Sequence, residues 1–143
     1  IESDHWIIDI GTAKLADTPE EFDVIVLPNL YGDILSDVAA QIAGSVGLAG
    51  SANIGSHCSM FEAIHGSAPT IAGQNIANPI AAILSLAMLF KYSLNLDSVH
   101  DIIEKAVSKT LNAGFRTKDI GYDNTLTCSE MGDEILSNIV KLS

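Results

Sequence analysis

Residues 22–37 read FDVIVLPNLYGDILSD and join a short apolar run to a segment that carries two acids. The run DVIVLP (23–28) is rich in β-branched residues, which predicts a buried strand that ends at Pro28. Over residues 33–46 apolar side chains recur at helical spacing, so an amphipathic helix is predicted there. Asp33 and Asp37 then project from one face, because residues four apart are neighbours on a helix.

The aspartate pair has two interpretations. No Lys or Arg lies at helical spacing to neutralise Asp33 and Asp37, and like charges four residues apart repel. A bound cation would explain the pair, and oxygen-only ligands favour Mg²⁺ or Mn²⁺. The alternative is a solvated, acidic start of a helix, where a carboxylate favours the helix dipole. The residues alone leave both interpretations open.

The rest of the chain alternates predicted helices with one further predicted strand, which indicates an α/β fold. Helices are predicted over residues 5–16, 80–92, 97–112 and 129–140, a helix start at Thr18-Pro19, a strand over 59–64, and loops over 47–55 and 66–78. Gly114 is the predicted C′ residue that ends the third of these helices.

Composition excludes several classes of function. The 143 residues carry 18 acidic and 7 basic side chains, a formal net charge of −11, and one arginine, Arg116. A protein surface that binds nucleic acid or an anionic membrane needs clustered Lys and Arg, so neither is an expected partner. The two cysteines, Cys58 and Cys128, form neither a metal-type pair nor a disulfide framework, which favours a reducing compartment.

Charge is almost absent between Val38 and Leu96, where only Glu62 and Lys91 are charged. Such a stretch is expected to face a core, a partner subunit or parts of a larger protein. Glu62, its only acid, is therefore expected to have a partner or a function, or else to be satisfied by backbone donors.

A tight loop follows at His65-Gly-Ser-Ala-Pro69, where small residues would let a ligand approach backbone amides. Taken alone, this motif is weak. The chain contains no Rossmann fingerprint, no P-loop and no nucleophile elbow.

Three blocks, in this order and spacing, resemble the β-decarboxylating dehydrogenases, which act on isocitrate, 3-isopropylmalate or homoisocitrate. They are FDVIVLPNLYGDILSD (22–37), ANIGSHCSMFEAIHGSAPTIAGQNIANP (52–79) and CSEMGDEI (128–135). The resemblance implies the α/β, non-Rossmann fold of that family, present only as its C-terminal part. Residues 1–43 would be the end of a small, dimer-forming central domain that carries the metal aspartates. Residues 44–143 would be the C-terminal part of a large cofactor-binding domain.

The resemblance also assigns site residues. Asp33 and Asp37 would hold Mg²⁺ or Mn²⁺, and Asp9 would complete the metal site across a homodimer and support catalysis. The main Tyr and Lys acid–base residues would lie upstream of Ile1. The implied cofactor-binding residues are Glu62, His65, Gly66, Ser67, Ala68, Pro69, Thr70, Ile71, Asn78 and Tyr122. Thr70-Ile71 offers no cation for a 2′-phosphate and no arginine lies near Asn124, so NAD is favoured over NADP.

The implied reaction is metal-dependent oxidative decarboxylation. Phe61-Glu62-Ala63 resembles isocitrate dehydrogenases, which convert isocitrate to 2-oxoglutarate in the tricarboxylic acid cycle, whereas residues 114–117 (GFRT) resemble isopropylmalate enzymes. Isocitrate is the expected substrate, with isopropylmalate or homoisocitrate as the alternative and a non-catalytic regulatory subunit as a rival of another class. The isolated chain is expected to be inactive, because one arginine cannot bind a tricarboxylate. A bacterial cytoplasm is favoured over a mitochondrial matrix.

Overall fold

The computed structural model describes residues 1–143 and divides into two compact units, Ile1–Ala43 and Gly44–Ser143. This division coincides with the predicted domain boundary. The assignment of the two units to a central and a large domain stays a prediction. The α/β class is confirmed, with five α-helices and one two-stranded sheet.

The first unit is a pair of helices that pack against each other. Helix α1 spans Ile8–Asp17, a 3₁₀ turn follows at Pro19–Glu21, and helix α2 spans Asn29–Ala43. Leu15, Leu35 and Ala40 are the buried apolar side chains of the two helices. The helix start predicted at Thr18-Pro19 therefore produces only a single 3₁₀ turn, with Pro19 at its first position.

The strand predicted over residues 23–28 is wrong. The segment has no regular secondary structure, and the side chains of Val24 and Val26 are 78% and 90% exposed. A strand is stable only when its backbone N–H and C=O groups pair with a neighbour. The chain has two strands, which pair with each other, and neither of them pairs with this segment.

Helix α2 begins one turn earlier than predicted, at Asn29, directly after Pro28. It ends before Gly44, whose φ of +136° is a conformation that side chains rarely adopt. The predicted continuation to Val46 is therefore wrong, and Val46–Leu48 instead forms a separate 3₁₀ turn that is capped by Ser45.

The second unit begins with a β-hairpin. Strand β1 (Gly50–Ile54) pairs antiparallel with strand β2 (Ser59–Ala63), with Gly50 opposite Ala63 and Ile54 opposite Ser59. The predicted strand at 59–64 is confirmed, but the loop predicted over 47–55 is wrong where β1 forms. Gly50 brings β1 close to the next helix, since an added Cβ would lie 2.9 Å from the backbone N of Ser85.

Three helices complete the second unit, and their predicted positions are confirmed to within one or two residues. Helix α3 spans Ile80–Tyr92, α4 spans Asp97–Asn112 and α5 spans Cys128–Leu142. Helix α3 packs against the hairpin and against α4, which in turn packs against α5. The buried core that joins the helices consists of Ile80, Ala106, Val107, Met131 and Ile135. Gly114, with φ +90°, follows α4 as predicted.

Several apolar side chains of the charge-poor stretch remain at the surface. They include Ile54, Met60, Leu86, Tyr92 and Leu94, each at least 47% exposed. In the first unit, Ile7, Ile10, Leu30 and Ile34 are likewise exposed. No α-helix of the chain combines the length and the apolar character that crossing a bilayer requires.

Candidate functional site

The predicted metal aspartates both lie on α2. Asp33 and Asp37 are exposed, and neither carboxylate takes part in a hydrogen bond or an ion pair within the chain. The first unit carries nine acidic residues and one cation, Lys14. That lysine lies 3.9 Å from Glu21 and stacks over the Trp6 ring. The unit therefore supplies no positive charge to the aspartate pair, whose oxygen donors fit Mg²⁺ or Mn²⁺.

Asp9 lies in the first turn of α1, and its Oδ1 accepts a hydrogen bond from the backbone N–H of Ile10 at 2.7 Å. Its carboxylate does not join those of Asp33 and Asp37 in a cluster of three potential ligands. The structure thus brings Asp33 and Asp37 onto one helix face without Asp9. A role for Asp9 across a dimer stays a prediction.

The chain contains one group of three potential metal ligands, and sequence reasoning had assigned it no role. His100 Nδ1 lies 3.1 Å from Asp101, and His100 Nε2 lies 3.4 Å from Glu104, one turn along α4. The hydrogen bond from His100 is the largest influence on Asp101 and lowers the pKa of that carboxyl. Both ring nitrogens of the buried imidazole thus face a carboxylate of the same helix, so contacts within α4 account for the group.

The predicted nucleotide loop runs from His65 to Asn78 between β2 and α3. Residues 65–70 are exposed, and Pro69–Ile71 forms a 3₁₀ turn. Ala68 precedes this turn with φ +42° and ψ +59°, a left-handed conformation that is uncommon for alanine. Residues that the surrounding structure holds in such conformations cluster at ligand sites, and the backbone of Ala68 agrees with the predicted role of the loop.

Asn78 is the last residue of the loop, and its side chain is buried in the second unit. Its Nδ2 donates to Asp119 Oδ2 at 3.1 Å, and its Oδ1 accepts from the backbone N–H of Ile80 at 3.0 Å. The side chain is buried, at 8% exposure, and so both ends of the amide already have partners within the unit. Asn78 could therefore contact a nucleotide only through its backbone or through the second hydrogen on Nδ2.

Asp119 is the residue that sequence reasoning missed at this point. Partial burial raises the pKa of Asp119, but the polar side chains of Ser45, Thr117 and Asn78 beside the carboxylate outweigh burial and hold that pKa below its ordinary value. Of these three contacts only the one from Asn78 has full hydrogen-bond geometry, and the Thr117 hydroxyl is buried without such a partner. Asp119 is itself exposed, and no motif in the sequence distinguishes it from the other exposed aspartates of the chain.

Gly47 leaves the space that the Asn78–Asp119 pair occupies. A Cβ at Gly47 would lie 2.7 Å from the Cβ of Asn78 and 2.9 Å from Oδ2 of Asp119. Real Cβ atoms do not approach other atoms so closely, so a larger residue at position 47 would displace the pair. The close approach explains why a glycine suits this turn even though its φ is not positive.

Most of the other predicted cofactor residues are exposed. Glu62 faces solvent on β2 opposite Ser51 and has no hydrogen-bond or ion-pair partner, so of the expected alternatives a function stays a prediction. Tyr122 is 92% exposed. Thr70 accepts a hydrogen bond only from Gln74, through its backbone carbonyl, and no cation lies among residues 65–78.

The single arginine serves the fold. Arg116 Nη1 donates to the backbone carbonyls of Leu111 and Phe115 at 2.6 and 2.7 Å, at the C-terminal end of α4. This arrangement satisfies a carbonyl that has no partner inside the helix. Nη1 is therefore engaged within the fold, and a single arginine cannot supply the several cationic contacts that a multiply charged substrate needs.

Comparison with known proteins gives consistent matches. The family model described as isocitrate/isopropylmalate dehydrogenase matches residues 1–135. The isocitrate dehydrogenase [NADP] of Rickettsia typhi is 52% identical over 141 residues, which is 99% of this chain and 29% of the relative. The 3-isopropylmalate dehydrogenase of Aquifex aeolicus is 49% identical over 144 residues, which is 99% of this chain and 40% of the relative.

A solved structure agrees with these relatives. The crystal structure of isocitrate dehydrogenase from Methylococcus capsulatus superimposes with a TM-score of 0.93 at 40% identity, covering 97% of this chain and 41% of that one. The resemblance identified from the motifs is thus confirmed. The chain spans 29 to 40% of the length of the curated relatives described above.

Proposed function

Because the chain belongs to the isocitrate/isopropylmalate dehydrogenase family, we propose that it is part of an enzyme that oxidises and decarboxylates a 2-hydroxy acid. The enzyme would use a nicotinamide dinucleotide and a divalent cation. The observation that carries this proposal is the exposed, unneutralised pair Asp33 and Asp37 on one face of α2. The pair lies within the block, residues 22–37, from which the family resemblance was drawn.

The aspartate pair would hold Mg²⁺ or Mn²⁺ by its carboxylate oxygens. When bound, such an ion polarises the substrate oxygens and stabilises the negative charge that develops as CO₂ leaves. The helix fixes the distance between Asp33 and Asp37, so the two donors need little rearrangement. Their exposure leaves the remaining coordination positions open to substrate and water.

Isocitrate is the proposed substrate, with 2-oxoglutarate and CO₂ as products. The support is the Phe61-Glu62-Ala63 segment on β2, which resembles isocitrate enzymes. 3-Isopropylmalate is the alternative, favoured by residues 114–117 and by the identity to the Aquifex aeolicus enzyme. Both alternatives belong to one reaction class and differ in the group attached to the substrate's β-carbon, the carbon that loses CO₂.

The nucleotide loop, residues 65–78, is the proposed site for the dinucleotide. The preference for NAD is not supported, because the isocitrate relatives from Rickettsia carry NADP in their names. NAD and NADP therefore both stay as candidates. A 2′-phosphate would need a cation from outside residues 65–78, since this segment contains none.

We further propose that the enzyme is a homodimer in which Asp9 of one subunit completes the metal site of the other. The exposed apolar side chains Ile7, Ile10, Leu30 and Ile34 of the first unit support this proposal, because such a surface is costly to leave in water. Both cysteines are free, which supports a reducing compartment, with the bacterial cytoplasm as the proposed location.

The test is to assay the full-length protein that contains this chain for dinucleotide reduction with Mg²⁺. Isocitrate and 3-isopropylmalate are each tested with NAD and with NADP, and the isolated 143-residue chain is the negative control. Arg116 is engaged with Leu111 and Phe115, so the isolated chain is expected to give no turnover. Turnover of isocitrate by the full-length protein supports the proposal. Turnover of isopropylmalate alone would instead identify isopropylmalate as the substrate.

A variant links activity to the aspartate pair. Asp33→Asn removes a charge from the proposed metal site, and we expect activity to fall at least about a hundredfold at fixed Mg²⁺. Asp17→Asn is the matched control, because Asp17 is also an exposed acid in a helix of the same unit and is not a proposed ligand. If the wild-type protein gives no turnover with any of the four combinations of hydroxy acid and dinucleotide, a non-catalytic subunit is favoured instead.

A further inference from the structure

Residues 65–74 form the first part of the proposed nucleotide loop, and they are attached to the rest of the unit only at their two ends. Every hydrogen bond made by residues 65–74 closes within the loop, the longest-reaching being from Gln74 Nε2 to the carbonyl of Thr70. All ten residues except Ile71 are exposed, so packing adds little. At the entrance, Ile64 N–H donates to the carbonyl of Ala49. The position of the loop therefore depends on the first residue beyond Gln74.

That residue, Asn75, makes three contacts with the start of α5. Its Nδ2 donates to Ser129 Oγ at 2.7 Å, and its Oδ1 accepts from the backbone N–H of Ser129 at 3.1 Å. Its backbone carbonyl accepts from the N–H of Cys128 at 2.9 Å. The first N–H groups of a helix have no acceptor within the helix, so the loop satisfies two donors that would otherwise need water.

The backbone of Asn75 suits this role. Its φ of +57° is left-handed, a conformation that asparagine and glycine tolerate better than other residues. The conformation turns the chain back toward α3 while the side chain points at α5. Because Asn75 is exposed, its hydrogen bonds rather than apolar packing fasten the loop.

We propose that Asn75 is a positioning residue for the nicotinamide dinucleotide, because it fastens residues 65–74 to the first turn of α5. This inference rests on the proposed function, which places the dinucleotide on that loop. A loop held in place before binding loses less conformational entropy when the ligand arrives. Releasing it would reduce the fraction of molecules that can bind, and the affinity falls by the same factor.

Three variants of the full-length protein separate positioning from general damage. Asn75→Gly removes both side-chain hydrogen bonds and accepts the left-handed backbone without strain. Asn75→Asp keeps an acceptor for the Ser129 N–H and can also accept from the Ser129 hydroxyl, so it is the rescue variant. Asn95→Gly is the matched control, since Asn95 is exposed and left-handed, with φ +54°, and its side chain makes no hydrogen bond.

Two readouts are measured on each variant. Titration with NADH and with NADPH, followed by nucleotide fluorescence, gives the dissociation constant. We expect Asn75→Gly to raise it about tenfold, the effect of losing two modest hydrogen bonds. Asn75→Asp and Asn95→Gly should stay within about twofold of the wild type, as should the KM for the hydroxy acid in all three. Hydrogen exchange should quicken in Asn75→Gly at residues 65–74 and at the amides of Cys128 and Ser129.

The outcomes are distinguishable. Normal nucleotide affinity or unchanged exchange in Asn75→Gly overturns the positioning role while leaving the proposed function intact. Equal weakening in Asn95→Gly, or a parallel rise in the KM for the hydroxy acid, also overturns it, because the effect would then be general. A wild-type protein that binds neither dinucleotide contradicts the proposed function itself.

Discussion

Asp119 stabilises the end of the nucleotide loop through one carboxylate oxygen, which accepts a hydrogen bond from the buried amide of Asn78. The same amide accepts from Ile80 N–H at the start of α3, so one side chain joins a loop, a helix and a distant turn. Gly47 makes room for the pair. These contacts link positions about forty residues apart, which is why no local motif indicated them.

We expect the stabilising effect of Asp119 to depend on pH. Its pKa lies below the ordinary value of 3.8 in the folded protein, because the neighbouring polar side chains of Ser45, Thr117 and Asn78 outweigh partial burial. A group with a lowered pKa stabilises the fold above its ordinary pKa, and this contribution is lost as the pH falls through the folded pKa. Asp119→Asn should therefore be less stable than the wild type at pH 7, by less than about 1 kcal/mol because solvent screens the charge.

The measurement is urea unfolding of wild type and Asp119→Asn at a series of pH values from neutral down to the acid limit of folding. The difference in unfolding free energy should shrink below pH 3.8. Asp123→Asn is the control, because Asp123 is an exposed acid in the same loop whose carboxylate makes no hydrogen bond. A difference that stays constant with pH would show that shape rather than charge is what Asp119 contributes.

Among the elements, α5 is the one whose start is held most completely. Thr127 Oγ1 accepts from Glu130 N–H at 3.4 Å, and Glu130 accepts in return from the Thr127 backbone N–H at 2.9 Å. The bond from the Thr127 backbone is the largest influence on Glu130 and lowers the pKa of its carboxyl. Together with the contacts of Asn75, this capping box leaves few donors of the first turn unpaired.

Removing the cap should destabilise the second unit. Thr127→Ala loses the hydroxyl that accepts from Glu130 N–H, and the expected loss is about 1 kcal/mol in the free energy of unfolding. Thr127→Ser keeps the hydroxyl and should remain close to the wild type. Thermal and urea unfolding of the three proteins measure the difference, and equal stability of the alanine and serine variants would contradict a capping role.

At the scale of the whole molecule, the first unit has a large surplus of negative charge and an exposed apolar surface. It has one lysine against nine acids, and the side chains of Ile7, Val24 and Val26 are at least 70% exposed. Cation binding would neutralise part of the negative charge, and association with a second copy would bury the apolar surface. The proposed dimer with a shared metal site accounts for both.

Mixing two inactive variants tests the shared site. In the full-length protein, Asp9→Asn and Asp33→Asn should each abolish activity when homodimeric. If Asp9 serves the partner's site, a mixed dimer has one intact site and one doubly altered site. Random reassociation makes half the dimers mixed, so about a quarter of wild-type activity should return. If Asp9 acts within its own subunit, both sites of the mixed dimer are altered and no activity returns.

The sequence by itself determined the features that depend on neighbours along the chain. The helical spacing at 80–92, 97–112 and 129–140 predicted α3 to α5 closely, because helical hydrogen bonds join residues only four apart. The same local geometry placed Asp33 and Asp37 on one face. The motif blocks were long enough to identify the family.

Only the tertiary structure decided the features that depend on distant partners. Residues 23–28 have strand composition but pair with no strand, whereas residues 50–54, which lie in a stretch predicted to be a loop, pair with β2 and become β1. Asn75 and Asp119 acquire their roles from α5 and from Asn78, far away in sequence. Sheet pairing and loop anchoring depend on contacts between residues far apart in sequence, and the types of these residues do not indicate their partners.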